Sequence, residues 1–477
     1  MTATRRRLAV AATLLLAVAV VATVVVLRHD RSFARGKTVR FRPCTLADRV
    51  PARCGRLVVR EDRGDPHSRW IALHVAVIPA TRQPAVGALF YLEGGPGGAA
   101  TDAAKFVNET FAMVNQRRDL VLVDQRGTGG SHRITCPQEH VRVSDVSAVT
   151  AYVRRCFARL GDHVRSYTTA AAADDLDVVR RALDYGRIDL YGGSYGATLA
   201  QVYLERHGSS VRTAILDGAT LPSIPLYEVA ARNAERALRL DLARCRAEPA
   251  CHRNFPHPET ELATLLSRPP RRVAVPGRPA VVLDRGAVAS TIQALSQSAD
   301  GVSRIPFLVH EAATGHYADL AAEYAILVGA QLDDRAKLAM FWVIQCSEFW
   351  ARFGVEATER ASRGSYFGPV ALAHARLFRS ACRAVPKAPV ADPAHRFRVP
   401  VLVLAGAADP QDPAANMKGW RRVFPDGRLV VVPGAAHGAV AAGCLPLVAA
   451  DFVVRATTRS LDTTCAEAVK PPPFEGR

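Results

Sequence analysis

One stretch, residues 187–207, constrains the fold more than any other part of the chain. Ile188–Tyr191 has the length and apolar composition of a buried strand, and apolar residues recur at helical spacing soon afterwards. Between strand and helix lies Gly192–Gly196, a Gly-Gly-Ser-Tyr-Gly turn that fits the G-x-S-x-G pattern in its required context. Glycines suit this position because a tight, strained turn leaves little room for neighbouring side chains. The pattern predicts that Ser194 is a nucleophile; the alternative is a serine that only shapes the turn.

The rest of the chain alternates between short apolar runs and helical patterns. The runs read as strands are 70–78, 88–92, 120–123, 188–191, 211–216, 399–404 and 429–432. This alternation indicates α/β architecture, with a mostly parallel sheet covered on both faces. From 219 to 395 the chain is largely helical, with one hairpin predicted over Arg272–Leu283. Because strands resume afterwards, we predict one α/β core, 37–218 and 396–477, with a helical cap inserted at 219–395 rather than a separate helical domain.

Residues 1–36 do not follow this pattern. Arg5–Arg7 precede Leu8–Leu27, twenty residues without a charge. Such a segment is long enough to span a bilayer and is also compatible with a signal peptide cleaved near Ala19. The basic residues that follow it would place the body in the cytoplasm by the positive-inside rule, whereas the cysteines indicate export. We give the cysteines more weight and predict an extracytoplasmic body, secreted or membrane-anchored, behind a basic tether.

The ten cysteines form five sequence-local couples, and none follows a zinc-binding spacing. An even number of cysteines behind an export signal indicates disulfide bonds, with ten buried free thiols as the alternative. The first pair is expected to close a small loop. The predicted pairs are Cys44–Cys54, Cys136–Cys156, Cys245–Cys251, Cys346–Cys382 and Cys444–Cys465.

The net charge of +18 comes from scattered arginines rather than from long basic blocks. No basic stripe interleaved with aromatic residues is present, so we do not expect a nucleic-acid partner. We also expect no metal and no cofactor.

A catalytic serine needs a general base and an acid that orients the base. The strand at 399–404 runs into a loop that carries Asp409, and the strand at 429–432 runs into a glycine-flanked loop that carries His437. Both loops follow strand C-termini, where the sites of open α/β sheets collect. The order serine, acid, histidine is that of the G-x-S-x-G folds. Asp412 is a rival acid because the Asp-Pro dipeptide repeats there.

Three further motifs complete a recognisable set. They are Gly-Gly-Pro-Gly-Gly at 94–98, Asp-Gln-Arg-Gly-Thr-Gly at 124–129 and Leu-Asp-Gly at 216–218. With Ser194, Asp409 and His437 these motifs resemble the α/β-hydrolase-fold serine peptidases, in particular the secreted actinobacterial tripeptidyl aminopeptidases and their prolyl-aminopeptidase relatives. The resemblance covers about residues 40–470.

The resemblance implies an α/β-hydrolase fold in which Ser194 is the nucleophile, His437 the general base and Asp409 its orienting acid. It further implies an oxyanion hole made by the backbone N–H groups of Gly95 and Tyr195. The chain departs from the family at one place, since Glu93 stands where the family usually has His or an Asn-Pro pair before the oxyanion glycines.

The family's cap carries an acidic residue two positions after a cysteine, which corresponds to Glu348 after Cys346. The resemblance implies that Glu348 binds the terminal ammonium of the substrate; the alternative is a surface glutamate on an amphipathic helix. We therefore expect an exported aminopeptidase that releases single residues or short peptides from peptides with a free N-terminus. The alternatives are an esterase or amidase with the same triad and a catalytically silent, membrane-tethered binding protein. If the N-terminal segment is retained, the membrane is a second partner.

Overall fold

The computed structural model describes residues 34–35, 39–137, 139, 146–333, 335–350, 353–383, 385, 387–388 and 395–476. The predicted anchor, Leu8–Leu27, and the candidate cleavage site near Ala19 lie outside these residues. Within the described residues no helix combines the length and the apolarity that crossing a bilayer requires.

One large mixed sheet forms the centre of the described structure. Its strands are β1 Ala34–Arg35, β2 Arg42–Thr45, β3 Pro51–Arg60, β4 Trp70–Ile78, β5 Ala88–Leu92, β6 Asp119–Val123, β7 Ile188–Gly193, β8 Val211–Asp217, β11 Val401–Gly406 and β12 Gly427–Val432. The two remaining strands, β9 Arg271–Val275 and β10 Arg278–Leu283, form a separate hairpin. The sheet order is β1-β3-β4-β6-β5-β7-β8-β11-β12, with β2 beside β3. From β6 to β12 every neighbouring pair is parallel, whereas β4 pairs antiparallel with both β3 and β6. The mostly parallel sheet predicted from the sequence is confirmed.

The described residues also contain a set of α-helices, some of which cover the two faces of the sheet. They are α1 Ala104–Thr110, α2 Ala112–Asn115, α3 Val146–Leu160, α4 Thr169–Ala182, α5 Tyr195–His207, α6 Leu226–Ala247, α7 Pro249–Asn254, α8 Pro258–Ser267, α9 Arg285–Leu295, α10 Ala299–Thr314, α11 Ala318–Asp333, α12 Arg335–Ile344, α13 Val355–Ala361, α14 Gly368–Ala381, α15 Trp420–Val423 and α16 Leu445–Arg455. Helices α4 and α5 pack on one face, and α1, α2 and α16 pack on the other. Strand β5 is buried at every residue, which explains why its sequence is continuously apolar rather than alternating.

The stretch between β8 and β11 contains helices α6–α14 and the β9–β10 hairpin. Strands β8 and β11 are nevertheless direct neighbours in the sheet, with Val401 opposite Ala214. The chain therefore leaves the sheet after Asp217, builds a helical layer and returns beside the strand that it left. At the end of α12 the helix widens into a single π-helical turn, Gln345–Phe349.

The structure joins the ten cysteines in the five predicted pairs, and none of the described cysteines is free. The Cys44–Cys54 bridge closes the small loop expected there, and it does so by linking β2 to β3, a ten-residue strand that is not predicted from the sequence. Five disulfides fit a protein that folds in an oxidising compartment.

Two of the bridges provide a matched test of how the disulfides stabilise the cap. Cys346–Cys382 and Cys245–Cys251 have similarly buried cysteines but sequence separations of 36 and 6. Because a bridge restricts the unfolded chain more when its loop is longer, replacing both cysteines of each pair with alanine is expected to cost about 4 kcal/mol for the long loop and about 2 kcal/mol for the short one. Denaturant unfolding of the two double variants measures this. Equal losses, or a larger loss for the short loop, would contradict the loop-length argument.

Candidate active site

Ser194 lies at the junction between β7 and α5 in a strained backbone conformation. Its φ is 55° and its ψ is −124°, a region that non-glycine residues rarely occupy. Two glycines make the turn feasible. A Cβ at Gly192 would lie 2.2 Å from the carbonyl oxygen of Gly196, and a Cβ at Gly196 would lie 2.0 Å from that of Leu92. The strain and the close packing together hold Ser194 at the carboxyl end of the sheet, before the first turn of a helix.

The predicted acid and base are in direct contact. The Nδ1 atom of His437 lies 2.9 Å from Oδ2 of Asp409, whose side chain is fully buried. The other carboxylate oxygen of Asp409 accepts hydrogen bonds of 2.8 Å from the backbone N–H groups of Gln411 and Asp412. The backbone N–H of His437 donates to the carbonyl of Gln297, 3.0 Å away in the helical layer. These contacts fix the orientation of the carboxylate, and the carboxylate in turn orients the imidazole.

Three carboxylates determine the charge of the imidazole. Burial by itself disfavours the imidazolium, but Asp409, with smaller contributions from Asp412 and Asp217, opposes it, and together the three carboxylates raise the pKa of His437 to about 9. Asp412, the rival acid, lies 4.0 Å from Nδ1 of His437 and so is not its hydrogen-bond partner. Burial raises the pKa of Asp412 to about 6. The geometry thus assigns the orienting contact to Asp409 and leaves Asp412 as a second nearby negative charge.

Asp217, at the end of β8, connects the serine turn to the histidine loop. Its backbone carbonyl accepts the N–H of Ser194 at 2.9 Å. Its carboxylate accepts the N–H groups of Ala439 and Val440 at 2.8 and 2.9 Å, just beyond His437. Among the described residues the Ser194 hydroxyl makes no hydrogen bond of its own. Ser194 and His437 are therefore both positioned by Asp217 but are not hydrogen-bonded to each other. Catalytic hydrogen bonds often tighten only when substrate is bound.

The glycine-rich loop after β5 lies directly against the serine turn. A Cβ at Gly94 would lie 3.3 Å from Cβ of Ser194 and 3.8 Å from the backbone nitrogen of Tyr195. Tyr195 is the first residue of α5, where backbone N–H groups have no acceptor within the helix. Glu93, the residue that departs from the family pattern, uses its carboxylate in local hydrogen bonds. It accepts the N–H of Gly94 and the hydroxyl of Tyr91, both at 2.9 Å.

A cleft between the sheet and the helical layer opens beside Ser194 and the glycine-rich loop. Its polar floor contains Ser194, the predicted oxyanion residues Gly95 and Tyr195, and Asp412. The opposite wall is mostly apolar and is formed by Leu221, Pro222, Ile224, Leu226, Phe349 and Phe353. Such a cleft combines a reactive polar end with a surface that receives an apolar group.

Glu348 is placed differently from the position that the resemblance implied. Its side chain is 0% exposed and does not line the cleft. Its carboxylate accepts the backbone N–H of Thr169 at 2.7 Å and the Thr169 hydroxyl at 2.5 Å. Burial raises the pKa of Glu348 to about 7, against the opposing effect of the Thr169 bonds. A carboxylate in this position is not accessible to a substrate ammonium in the cleft.

The sequence reading missed the positioning residues around these groups. The Leu-Asp-Gly motif does not by itself predict a role for Asp217, although an acid at a strand end beside a glycine is a usable signal. Gly218 has φ 56°, and a Cβ there would lie 3.1 Å from Cε1 of His437, so the motif ends in glycine for a steric reason. Thr169 carries no sequence signal, because its role depends on a contact with a residue 179 positions away.

Comparison with known proteins agrees with this architecture. Residues 87–274 match the family described as alpha/beta hydrolase fold, and residues 369–465 match the family described as TAP-like protein. The tripeptidyl aminopeptidase of Streptomyces lividans is 34% identical over 194 residues, which is 36% of this chain and 36% of that protein. The chain thus spans about a third of the length of the tripeptidyl aminopeptidases that it matches.

Other relatives carry different names. Serine protease Hip1 of Mycobacterium tuberculosis is 32% identical over 224 residues, 42% of this chain and 43% of that protein. A protein named carboxylesterase B from the same organism is 34% identical over 223 residues, with the same coverage. The solved structure of proline iminopeptidase from Mycobacterium smegmatis aligns over 87% of this chain at 18% identity, with a TM-score of 0.37. Residues 87–274 therefore match the α/β-hydrolase fold, and the aligned parts of the chain resemble the tripeptidyl aminopeptidases and their serine-protease relatives.

Proposed function

We propose that this chain is an exported serine hydrolase, namely an aminopeptidase that releases single residues or short peptides from free N-termini. The observation that carries the proposal is the 2.9 Å contact between His437 and Asp409, on a loop that Asp217 connects to the strained Ser194. The similarity to tripeptidyl aminopeptidases and to serine protease Hip1 supports peptides as the substrate class. The five disulfides support an extracytoplasmic location.

The proposed mechanism assigns each step to a group in the cleft or directly beside it. The Ser194 hydroxyl attacks the scissile carbonyl while His437 takes its proton, and Asp409 keeps the imidazole oriented. The backbone N–H groups of Gly95 and Tyr195 stabilise the oxyanion of the tetrahedral intermediate. His437 then returns the proton to the leaving amine, which leaves an acyl group on Ser194. Water activated by the same imidazole hydrolyses this ester and restores the enzyme.

A second candidate is an esterase or amidase with the same triad. Two observations favour it. The carboxyl group expected to recognise an ammonium, Glu348, is buried outside the cleft. In addition, one relative is named carboxylesterase B. A shared fold and triad do not determine which acyl compound is cleaved.

We also propose that the N-terminal segment directs the body out of the cytoplasm. A retained Leu8–Leu27 would tether the enzyme to the membrane, whereas cleavage near Ala19 would release it. No nucleic-acid partner is proposed.

The role of Ser194 is tested by Ser194→Ala. We expect turnover to fall by roughly 10⁴ to 10⁶ and covalent labelling by a fluorophosphonate probe to disappear, because both need the nucleophilic oxygen. Ser267→Ala is the matched control, since that exposed hydroxyl bonds only within its own helix. Undiminished hydrolysis or labelling in Ser194→Ala would exclude the proposed mechanism.

The substrate class is tested with three sets of compounds on the same scaffold: free-amine peptides, amine-blocked peptides and simple esters. The aminopeptidase proposal expects kcat/KM to be highest for free-amine peptides. Among these peptides, a substrate side chain that contacts the apolar wall of the cleft is expected to be apolar rather than charged. A preference for blocked peptides or esters would instead establish the esterase or amidase alternative.

The pH dependence follows from the carboxylates around His437. The base must be neutral, so kcat/KM is expected to rise with pH through a midpoint above the ordinary histidine value. Asp412→Asn removes one negative charge that favours the imidazolium and should move this midpoint to lower pH. Complete pH profiles of both enzymes measure the shift, with the exposed Asp451→Asn as a control for net charge. An unchanged or higher midpoint in Asp412→Asn would contradict the electrostatic assignment.

A further inference from the structure

A buried chain of hydrogen bonds runs from the helical layer to the residue that follows the nucleophile. The Tyr195 hydroxyl lies 2.7 Å from the Thr169 hydroxyl, which lies 2.5 Å from Oε2 of Glu348. Since the single hydroxyl proton of Thr169 goes to the carboxylate, the Tyr195 hydroxyl donates to Thr169. Glu348 and Thr169 are 0% exposed and Tyr195 is 6% exposed, so water does not substitute for these bonds.

The setting of Glu348 is unusual for a residue with only a packing role. Within the described residues no lysine or arginine pairs with its carboxylate, and burying an unpaired charge is costly. Its compensation is the start of α4, where Thr169 donates its backbone N–H at 2.7 Å and the helix dipole favours negative charge. A hydrophobic residue of similar size would avoid this cost. Buried acids of this kind are characteristic of functional sites.

The chain of bonds ends at a functionally critical backbone group. Tyr195 is the first residue of α5, and its N–H is one of the two proposed oxyanion donors. An oxyanion donor is effective only within a narrow range of positions, and a displacement of about 1 Å can cost a hundredfold in rate. The Tyr195 ring is held by the Thr169 bond at its tip and by the edge of Phe349 at a centroid distance of 6.4 Å.

We infer that Glu348 is a positioning residue that holds Tyr195 through Thr169 and thereby aligns the oxyanion donor with Ser194. This inference rests on the proposed function, and it replaces the ammonium-binding role that the resemblance implied. Glu348 belongs to the π-helical turn, which the Cys346–Cys382 bridge ties to the end of α14. The helical layer thus reaches the oxyanion hole through one buried carboxylate.

A double-mutant cycle tests the chain of bonds. Thr169→Val keeps the shape of the side chain but removes the relaying hydroxyl, and Tyr195→Phe removes only the phenol oxygen. Each is expected to lower kcat about 10-fold to 100-fold with KM within about twofold, since the donor matters most in the transition state. Because both break the same chain, the double variant should lose no more than the worse single variant.

Tyr185→Phe is the matched control. It also removes a tyrosine–carboxylate hydrogen bond, from Tyr185 to Asp119 at 2.6 Å, which is partly buried and lies outside the cleft. We expect it to lower the thermal unfolding midpoint and leave kcat unchanged. If the Thr169 and Tyr195 variants behave like this control, or if their effects on kcat multiply in the double variant, the inference is overturned.

Glu348→Gln separates the two roles proposed for this residue. It keeps the size of the side chain but replaces one acceptor of the Thr169 bonds with an NH₂ group. The positioning role expects equal losses of kcat on free-amine and amine-blocked peptides. A loss confined to free-amine peptides would overturn it in favour of ammonium binding.

The inference remains testable if the proposed function fails. Should the wild-type protein hydrolyse none of the peptides or esters, the rate of Ser194 labelling by a fluorophosphonate takes the place of kcat, since its P=O oxygen uses the same N–H donors. Slower labelling in Thr169→Val and Tyr195→Phe, without further slowing in the double variant, supports the positioning role. Labelling at the wild-type rate refutes it.

Discussion

The arrangement of the site depends on one fully buried residue, Asp217, which acts through both its backbone carbonyl and its side-chain carboxylate. Its main chain holds the N–H of Ser194, and its side chain holds the loop that carries His437. Burial raises the pKa of Asp217, although the two backbone donors and the Tyr191 hydroxyl oppose the shift. Burying the charged carboxylate is therefore still unfavourable, because its hydrogen bonds do not fully offset the loss of hydration. Nucleophile and base are positioned by the same strand end, so they cannot move independently.

The helical layer contacts each part of the site separately. The carbonyl of Gln297 accepts the N–H of His437 at 3.0 Å. On α6, the Asn233 side chain donates to the carbonyl of Gln411 at 3.1 Å, beside the acid loop. Glu348 reaches the serine turn through Thr169. Base, acid and proposed oxyanion donor are thus each fastened to residues of the 219–395 stretch, which makes this layer part of the site as well as a wall of the cleft.

The sequence predicted the sheet well for a physical reason. Strands such as β4 and β5 are buried among other elements, so their apolar runs match the structure to the residue. Strand β3 was missed because arginines and a glycine interrupt its apolar pattern. Ser194, Asp409 and His437 were identifiable because each follows a strand end in a glycine-rich loop. Thr169 acts through a contact that no local pattern encodes, whereas Asp217 has the local signal of an acid at a strand end before a glycine.

The position of Glu348 shows how one irregular turn changes which side chains reach the cleft. Gln345 and Phe349 both line the cleft from the π-helical turn, and Glu348, directly before Phe349, points to the core. A π-turn adds a residue to the helix and rotates the faces that follow it, so regular helical spacing does not predict the outcome. Asp412 is the acidic residue that lines the cleft among the described residues, and its carboxylate already accepts the hydroxyl of Thr220 and lies near His437. An acidic group that lines this cleft and selects a free amine would therefore be a carboxylate that also raises the pKa of His437, which couples substrate preference to the protonation of the proposed base.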